Sequence, residues 1–264
     1  MSENTNLQSL FAGANLGNEA TQALTFTADN LGHNIMAGLG DVDADAIGDL
    51  GASEVLLVKL VMDDSSSILY GDNTQHVIDG HNLMVDALRD SKASGAVLIS
   101  CQYLNGEVLY PFVTLDKALR MTNDNYQAIG GTPLYDTTAV TLASVVAKAA
   151  ELEDAGLPVR TATYIVTDGN DEHSRKHRPD TIRPIVEGML RTESHIIGAM
   201  GIDDGRTDFR QVFGGMGFHD RWILTPANTP TEIRAAFGTF SQSAVRASQA
   251  VGSFSATAMG GFGN

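Results

Sequence analysis

Apolar positions along the chain fall into short continuous runs and into longer stretches at helical spacing. The runs Val55–Met62 and 161–167 are too short to cross a bilayer and too continuous for half-exposed strands, so they predict strands covered on both faces. Residues 73–90 and 137–154 carry apolar side chains every three or four positions and predict amphipathic helices. This pattern predicts an α/β fold with a doubly wound, mainly parallel sheet and helices on both faces.

The remaining segments add one edge strand and the outer elements. Runs at 96–103 and 108–113 are joined by a short turn containing Gly106, which predicts a hairpin and therefore an antiparallel edge strand. The other predicted elements are a short strand at 23–28, a helix at 184–191, a strand at 195–202, a short helix at 207–213, a strand at 221–224 and a helix at 231–250.

The chain divides into three predicted regions. Residues 1–52 form an acidic extension rich in Gly, Asn and Ala, residues 53–251 form the main domain, and residues 252–264 form a low-complexity tail predicted to be mobile. Two interpretations of the extension stay open. In the first it is ordered, and it packs on the main domain, adds a strand to a sheet edge or self-associates. In the second it is a partly ordered leader.

Charge and composition narrow the classes of function. The net charge of −15, from 17 basic and 32 acidic residues, argues against a general nucleic-acid binder or a protein of anionic membranes. The single cysteine excludes an internal disulfide, and the chain shows neither a signal-peptide pattern nor an apolar run approaching 18 residues. A cytoplasmic location is the expectation.

Small oxygen-bearing side chains follow the strand Val55–Met62 directly. Asp63, Ser65 and Ser67 are spaced by two, so they can converge on one point if the chain turns there. Carboxylate and hydroxyl oxygens suit Mg²⁺, Mn²⁺ or Ca²⁺. On its own, such a cluster is more often a turn or a helix N-cap.

Two later segments make a metal site the better interpretation. Gly130 and Gly131 allow a close approach of the backbone that carries Thr132. The strand at 161–167 ends at Asp168, which the parallel sheet brings to the same edge as Asp63.

This order of motifs closely resembles the metal ion-dependent adhesion site of the von Willebrand factor A (vWA) domain family. The resemblance covers residues 53–251 and implies a site for one divalent cation, Mg²⁺ first, with Mn²⁺ and Ca²⁺ as alternatives. Ser66 replaces the family's usual Gly, and its side chain is expected to point away from the ion. The implied metal-binding residues are Asp63, Ser65, Ser67, Thr132 and Asp168.

The resemblance implies a metal-dependent protein-binding module that is not an enzyme, in which an Asp or Glu of a partner completes the coordination of the cation. In bacteria such domains often work with chaperone-like ATPases or within assemblies. The segment 240–248, FSQSAVRAS, also looks like the closing helix of vWA proteins associated with tellurite resistance. The polar loop at 170–184 carries Arg175, Lys176 and Arg178, which are predicted to form a basic rim beside the metal for an acidic partner.

Two other functions stay open. The chain is a structural subunit that assembles through its extension, or it is a metal-dependent hydrolase with His173 as base. No P-loop, nucleophile elbow, zinc signature or paired-metal pattern supports the hydrolase. Asp171, His173 and His177 are candidates for a second metal site, although a solvated loop is the favoured interpretation.

Overall fold

The apolar run Val55–Met62 forms the central strand of a sheet, and all eight of its residues are buried. The computed structural model describes residues 3–42, 47, 54–92, 97–250 and 254–262. The strands are Val55–Met62 (β1), Val97–Tyr103 (β2), Val108–Thr114 (β3), Val159–Thr167 (β4), His195–Gly201 (β5) and Ile223–Leu224 (β6). The helices are Glu3–Gly13 (α1), Asn18–Ala37 (α2), Ser66–Tyr70 (α3), Thr74–Arg89 (α4), Leu134–Asp154 (α5), Pro179–Arg191 (α6), Phe209–Gly215 (α7), Pro230–Gln249 (α8) and Phe254–Gly260 (α9).

The strands pair in the order β3-β2-β1-β4-β5-β6. Strands β2, β1, β4, β5 and β6 are parallel, and β3 runs antiparallel to β2 at one edge. The predicted doubly wound α/β fold with one antiparallel edge strand is confirmed. Because β1 and β4 are neighbours and parallel, their carboxyl ends open at the same edge of the sheet.

The two faces of the sheet carry separate hydrophobic cores. Side chains of β1 alternate between them: Leu57 and Val61 face one core, whereas Leu56 and Leu60 face the other. Helices α1, α2, α5 and α6 pack on the first face, and α4 and α8 pack against each other on the second.

The extension forms helices over its described part, so the strand predicted at 23–28 is wrong. These residues lie inside α2, whose buried positions follow helical spacing at Ala20, Leu24, Thr27, Ala28 and Ile35. Helices α1 and α2 pack on α5 and α6, and fully buried side chains such as Phe11 and Leu24 join the core of the first face. This packing on the main domain was one of the alternatives that the sequence left open.

Two further predictions differ from the structure. Helix α6 begins at Pro179 instead of Pro184, since Pro179 suits a first helical turn and the Arg178 N–H donates to Thr181 Oγ1 at 3.0 Å. Within the predicted mobile tail, residues 254–260 are helical, and Phe254 and Phe262 are buried against the core of the second face.

Among the residues that the structure describes, no helix combines the length and the apolar character that a membrane crossing requires.

Candidate metal-binding site

Asp63 is held at the end of β1 by groups from two strands. Its carboxylate is fully buried, and Oδ1 accepts the Ser65 N–H at 2.7 Å. Oδ2 accepts the Thr167 hydroxyl at 2.5 Å and the Asp168 N–H at 3.3 Å. The orientation of this carboxylate is therefore set by the chain that follows β1 and by the end of β4.

Ser65, Ser67 and Asp168 form one hydrogen-bonded row across the same edge. The hydroxyl oxygens of Ser65 and Ser67 lie 2.8 Å apart, and the Ser67 hydroxyl donates to Asp168 Oδ1 at 2.5 Å. The structure thus brings together four of the five predicted metal-binding residues. The Asp63 carboxylate joins this row by accepting the backbone N–H groups of Ser65 and Asp168.

The Gly-Gly-Thr loop is fastened to the loop after β1 by its backbone. The Gly130 N–H donates to Asp64 O at 2.8 Å, and Gly130 O accepts the Ser66 N–H at 3.1 Å. At Gly131 a Cβ would lie only 2.8 Å from His173 Cγ, so a side chain there would collide with the imidazole. The glycine allows the close approach that the sequence predicted at this loop.

Thr132 faces the same space as the serines. The ideal Cβ position of Gly169 lies 3.6 Å from Ser67 Oγ and 4.0 Å from Thr132 Oγ1. The Thr132 backbone N–H donates to His173 Nδ1 at 2.9 Å, which positions the loop. Its hydroxyl makes no hydrogen bond to any residue in the described part of the chain, although the residue is only 6% exposed.

Burial dominates the electrostatics of the acidic side chains. It raises the pKa of Asp63, against the hydrogen bonds from Ser65 and Thr167 that favour ionisation. Burial also raises the pKa of Asp168 to about 7, opposed by the bond from Ser67 and reinforced by the charge of Asp63. No Lys or Arg within the described ranges forms an ion pair with either carboxylate. A cation bound between them would supply the missing countercharge.

The donor set therefore fits a hard cation. It consists only of carboxylate and hydroxyl oxygens, which Mg²⁺ and Ca²⁺ prefer, and the Thr132 hydroxyl has no hydrogen-bond partner among the described residues. Groups of three or more His, Cys, Asp or Glu that could hold a metal do not occur in the described residues, so this site depends on its serine and threonine oxygens.

Several supporting residues were not predicted. Thr167 orients Asp63 from β4, and the Tyr126 hydroxyl donates to the Asp63 backbone oxygen. The sequence left open a metal-binding role for Asp64 and for Asp171. Asp64 accepts the Asn105 N–H at 3.0 Å, and burial raises its pKa to about 7. The position of Thr167 directly before Asp168 was the one available signal, whereas Tyr126 lies in a loop without a recognisable motif.

Asp171 and the two histidines of the polar loop do not converge on a second metal site. Asp171 Oδ1 accepts the Tyr135 N–H at 3.1 Å, and His173 holds the Thr132 backbone. The His177 ring is buried on α2, where its Nε2 lies 3.3 Å from Thr27 Oγ1. These side chains fasten the loop at three separate places.

The three basic residues of this loop are exposed. The backbone N–H groups of Arg175 and Lys176 donate to the Asp136 carboxylate at 2.8 and 3.0 Å, which anchors the loop at the start of α5. The side chains of Arg175, Lys176 and Arg178 form no ion pair with any described residue. They remain available to an acidic partner.

No protein-family model and no curated protein matches this chain. Among solved structures, the pilus adhesin SpaC of Lactobacillus rhamnosus GG superposes with a TM-score of 0.52 at 14% identity, over 74% of this chain and 31% of the adhesin. The open conformation of SpaC gives 0.50 at 15% identity, over 74% and 30%. The chain has a vWA/Rossmann-like α/β fold.

Proximal thread matrix protein 1 from the mussel byssus is also similar, with a TM-score of 0.48 at 17% identity, over 71% of this chain and 47% of that protein. Its structure with a zinc-occupied metal ion-dependent adhesion site gives 0.46 at 16% identity, over 78% and 47%. The present chain spans less than half of the mussel protein and about a third of the adhesin. The likeness of residues 240–248 to proteins of tellurite resistance stays a prediction.

Proposed function

We propose that this chain is a metal-dependent protein-binding module. The observation that carries this function is the convergence of Asp63, Ser65, Ser67 and Asp168 in one hydrogen-bonded row, with the Thr132 hydroxyl facing it. These five residues hold a divalent cation, directly or through water, and Mg²⁺ is the first choice because it retains water beside a few protein oxygens.

A partner carboxylate completes the site. The bound cation attracts an incoming Asp or Glu, whereas without it the carboxyl groups of Asp63 and Asp168 offer the partner no opposite charge, so capture of the partner depends on metal. The exposed side chains of Arg175, Lys176 and Arg178 add attraction for an acidic segment. A chaperone-like ATPase or a component of a larger assembly is the class of partner that the family resemblance suggests.

We assign the site no reaction. His173, the base of the hydrolase alternative, already uses Nδ1 to accept the Thr132 backbone N–H at 2.9 Å. For assembly through the extension, no observation gives specific support. The large apolar side chains Leu7, Phe11 and Leu24 are buried within the chain's own core, and the exposed Phe26 packs edge-on against the His177 ring.

Adjacent serines offer a matched test of the metal site. Ser67→Ala removes a hydroxyl that contacts both Ser65 and Asp168, whereas Ser66→Ala removes one without a hydrogen bond to any described residue. We expect Mn²⁺ affinity, measured by the electron paramagnetic resonance of free Mn²⁺ and by competition with Mg²⁺, to fall by about tenfold or more in Ser67→Ala. Ser66→Ala should bind as the wild type does.

Equal affinities in the two serine variants would contradict the assignment of Ser67. Absence of Mn²⁺ and Mg²⁺ binding to the wild type at millimolar concentrations would refute the metal site as a whole. Far-UV circular dichroism in chelator should be the same for all three proteins, which shows that the substitutions leave the fold intact.

A further inference from the structure

Three large exposed apolar side chains lie on the two segments that carry Ser67 and Thr132 of the candidate metal site. Within the described ranges, the large hydrophobic residues that stand exposed are Phe26, Leu69, Tyr70, Leu83, Leu119 and Ile129. Leu69 and Tyr70 follow Ser67 by two and three positions, and Ile129 precedes Thr132 by three. We call these three residues the apolar rim; their exposures are 52% for Leu69, 84% for Tyr70 and 73% for Ile129.

Backbone pairing joins the segments that carry the apolar rim. Ser65 and Gly130 form a parallel bridge, so Ile129 directly precedes a residue that is paired with the metal loop. Helix α3, which ends at Tyr70, begins within the same loop and is anchored by the fully buried side chain of Ile68. The Gly71 N–H then donates to Ser67 O at 2.7 Å. The apolar rim is therefore displayed on backbone that the site itself holds in place.

A partner that covers apolar side chains on a fixed backbone gains binding free energy, because apolar area leaves water and little backbone ordering is needed. Exposed apolar residues that are grouped at one site and flanked by polar groups mark an interaction surface, and tyrosine is one of the residues that contribute most to binding at such surfaces. Here the three residues lie on the segments that carry Ser67 and Thr132, and the loop that contacts Thr132 through His173 also carries Arg175 and Lys176. Both basic side chains are exposed and form no ion pair with a described residue. A partner that fits must bring an acidic side chain and apolar surface together.

We infer that the apolar rim selects a protein segment in which the metal-binding Asp or Glu is flanked by a large apolar side chain. This inference rests on the proposed function, because binding of the acidic residue to the cation is what places its neighbouring side chain against the apolar rim. The cation and the basic loop attract the carboxylate, and Leu69, Tyr70 and Ile129 bury the neighbouring apolar side chain. A segment that is acidic throughout gains only the electrostatic part of this contact.

A peptide library supplies a defined probe. Disulfide-cyclised peptides with one fixed central Asp or Glu and random flanking positions are displayed, captured on the immobilised full-length chain in Mg²⁺ and released with chelator. We expect Leu, Ile, Phe, Tyr or Trp to be enriched beside the fixed acidic residue. Recovered sequences without this preference would overturn the inference while leaving metal-dependent binding intact.

Two exposed leucines provide a matched comparison with one recovered peptide. Leu69 and Leu119 are each 52% exposed, but Leu119 follows Ala118, whose carbonyl accepts the Arg89 side chain at the far end of α4. Fluorescence anisotropy should show about tenfold weaker peptide binding for Tyr70→Ser, a smaller loss for Leu69→Ser and no change for Leu119→Ser. Mn²⁺ affinity reports for each variant whether the metal site is intact.

The outcomes separate the two levels of the hypothesis. Wild-type peptide affinity in Tyr70→Ser and Leu69→Ser would refute the role of the apolar rim, even where chelator still releases the peptide. Failure to recover any chelator-sensitive peptide would refute the proposed function, and the inference would fail with it.

Discussion

Lys59 gives the sharpest stability prediction, because its ammonium lies in the middle of the sheet and forms no ion pair with a carboxylate in the part of the chain that the structure describes. The residue is fully buried in β1, and Nζ donates to Ser100 Oγ at 2.9 Å. Nζ also lies 5.7 Å from the centroid of the Phe112 ring and 3.2 Å from the ideal Cβ position of Gly38, just beyond the end of α2. Burial lowers the pKa of Lys59 from 10.5 to about 7.

The direction of the pH effect follows from proton binding. Between pH 7 and 10.5 the unfolded chain holds a proton on Lys59 that the folded chain has released, so this residue makes stability rise with pH across that interval. At pH 6 the lowered pKa corresponds to about 5 kcal/mol of destabilisation, and at pH 10 to about 1 kcal/mol. The energetic penalty is therefore concentrated at neutral and acidic pH.

Lys59→Met keeps the length of the side chain and removes the charge. Since the hydrogen bond to Ser100 contributes about 1 kcal/mol, we expect the variant to be more stable than the wild type by about 4 kcal/mol at pH 6. The difference should approach zero at pH 10, where most of the penalty has gone. Urea unfolding in chelator, followed by the fluorescence of the buried Trp222 and by circular dichroism, measures this difference at each pH.

The exposed Lys92 serves as the control, because its ammonium stays in water in both states. Lys92→Met should leave the pH dependence of unfolding unchanged between pH 6 and 10. A stability difference for Lys59→Met that is the same at pH 6 and at pH 10 would refute the reasoning. A loss of stability at pH 6 would show instead that the folded protein stabilises the ammonium.

Two further predictions concern the regions whose structure the sequence did not foretell. Gly188→Ala would place a Cβ 2.6 Å from that of Ala20, so it should destabilise the chain by about 1–3 kcal/mol in urea by pushing α6 away from α2. Gly238→Ala, which meets nothing within 4 Å, should be neutral or stabilising, and equal effects would contradict the packing of the extension. Truncation after residue 251 removes Phe262, whose ring centroid lies 4.7 Å from that of Trp222. We expect a loss of about 3–5 kcal/mol and a red-shifted tryptophan emission, whereas unchanged fluorescence would show that the tail does not cover Trp222.

Much of the site could be predicted because its elements are local in sequence. Val55–Met62 is the strand that its apolar run predicted, to the residue, since a continuous run of that length favours a strand covered on both faces. The parallel pairing of β1 and β4 then places Asp63 and Asp168 at one edge. The structure agrees with the predicted placement of these two residues, because strand direction and residue spacing determine where the ends of the strands lie.

The fastening of the polar loop could not be predicted, because it depends on contacts between distant parts of the chain. His177 meets Thr27 across 150 positions, and His173 holds the backbone of Thr132 across 41. No periodic pattern in the sequence predicts contacts between such distant residues, so the loop is interpreted from the sequence alone as solvated or as a second metal site. The position of His177 depends on the packing of α2 beside it, and that of His173 on the loop that carries Thr132.

The sequence by itself determined the sheet, the edge at which the acidic and hydroxyl side chains meet and the oxygen chemistry of that edge. The reason is that short apolar runs and the residues directly after them can be recognised without knowledge of distant contacts. Only the tertiary structure decided that residues 18–37 are a helix, that Phe254 and Phe262 enter the core, and that the charged side chain of Lys59 is fully buried. Each of these depends on which surfaces pack together, because the free energy of burying a side chain is set by the groups that surround it, and these groups lie far away along the chain.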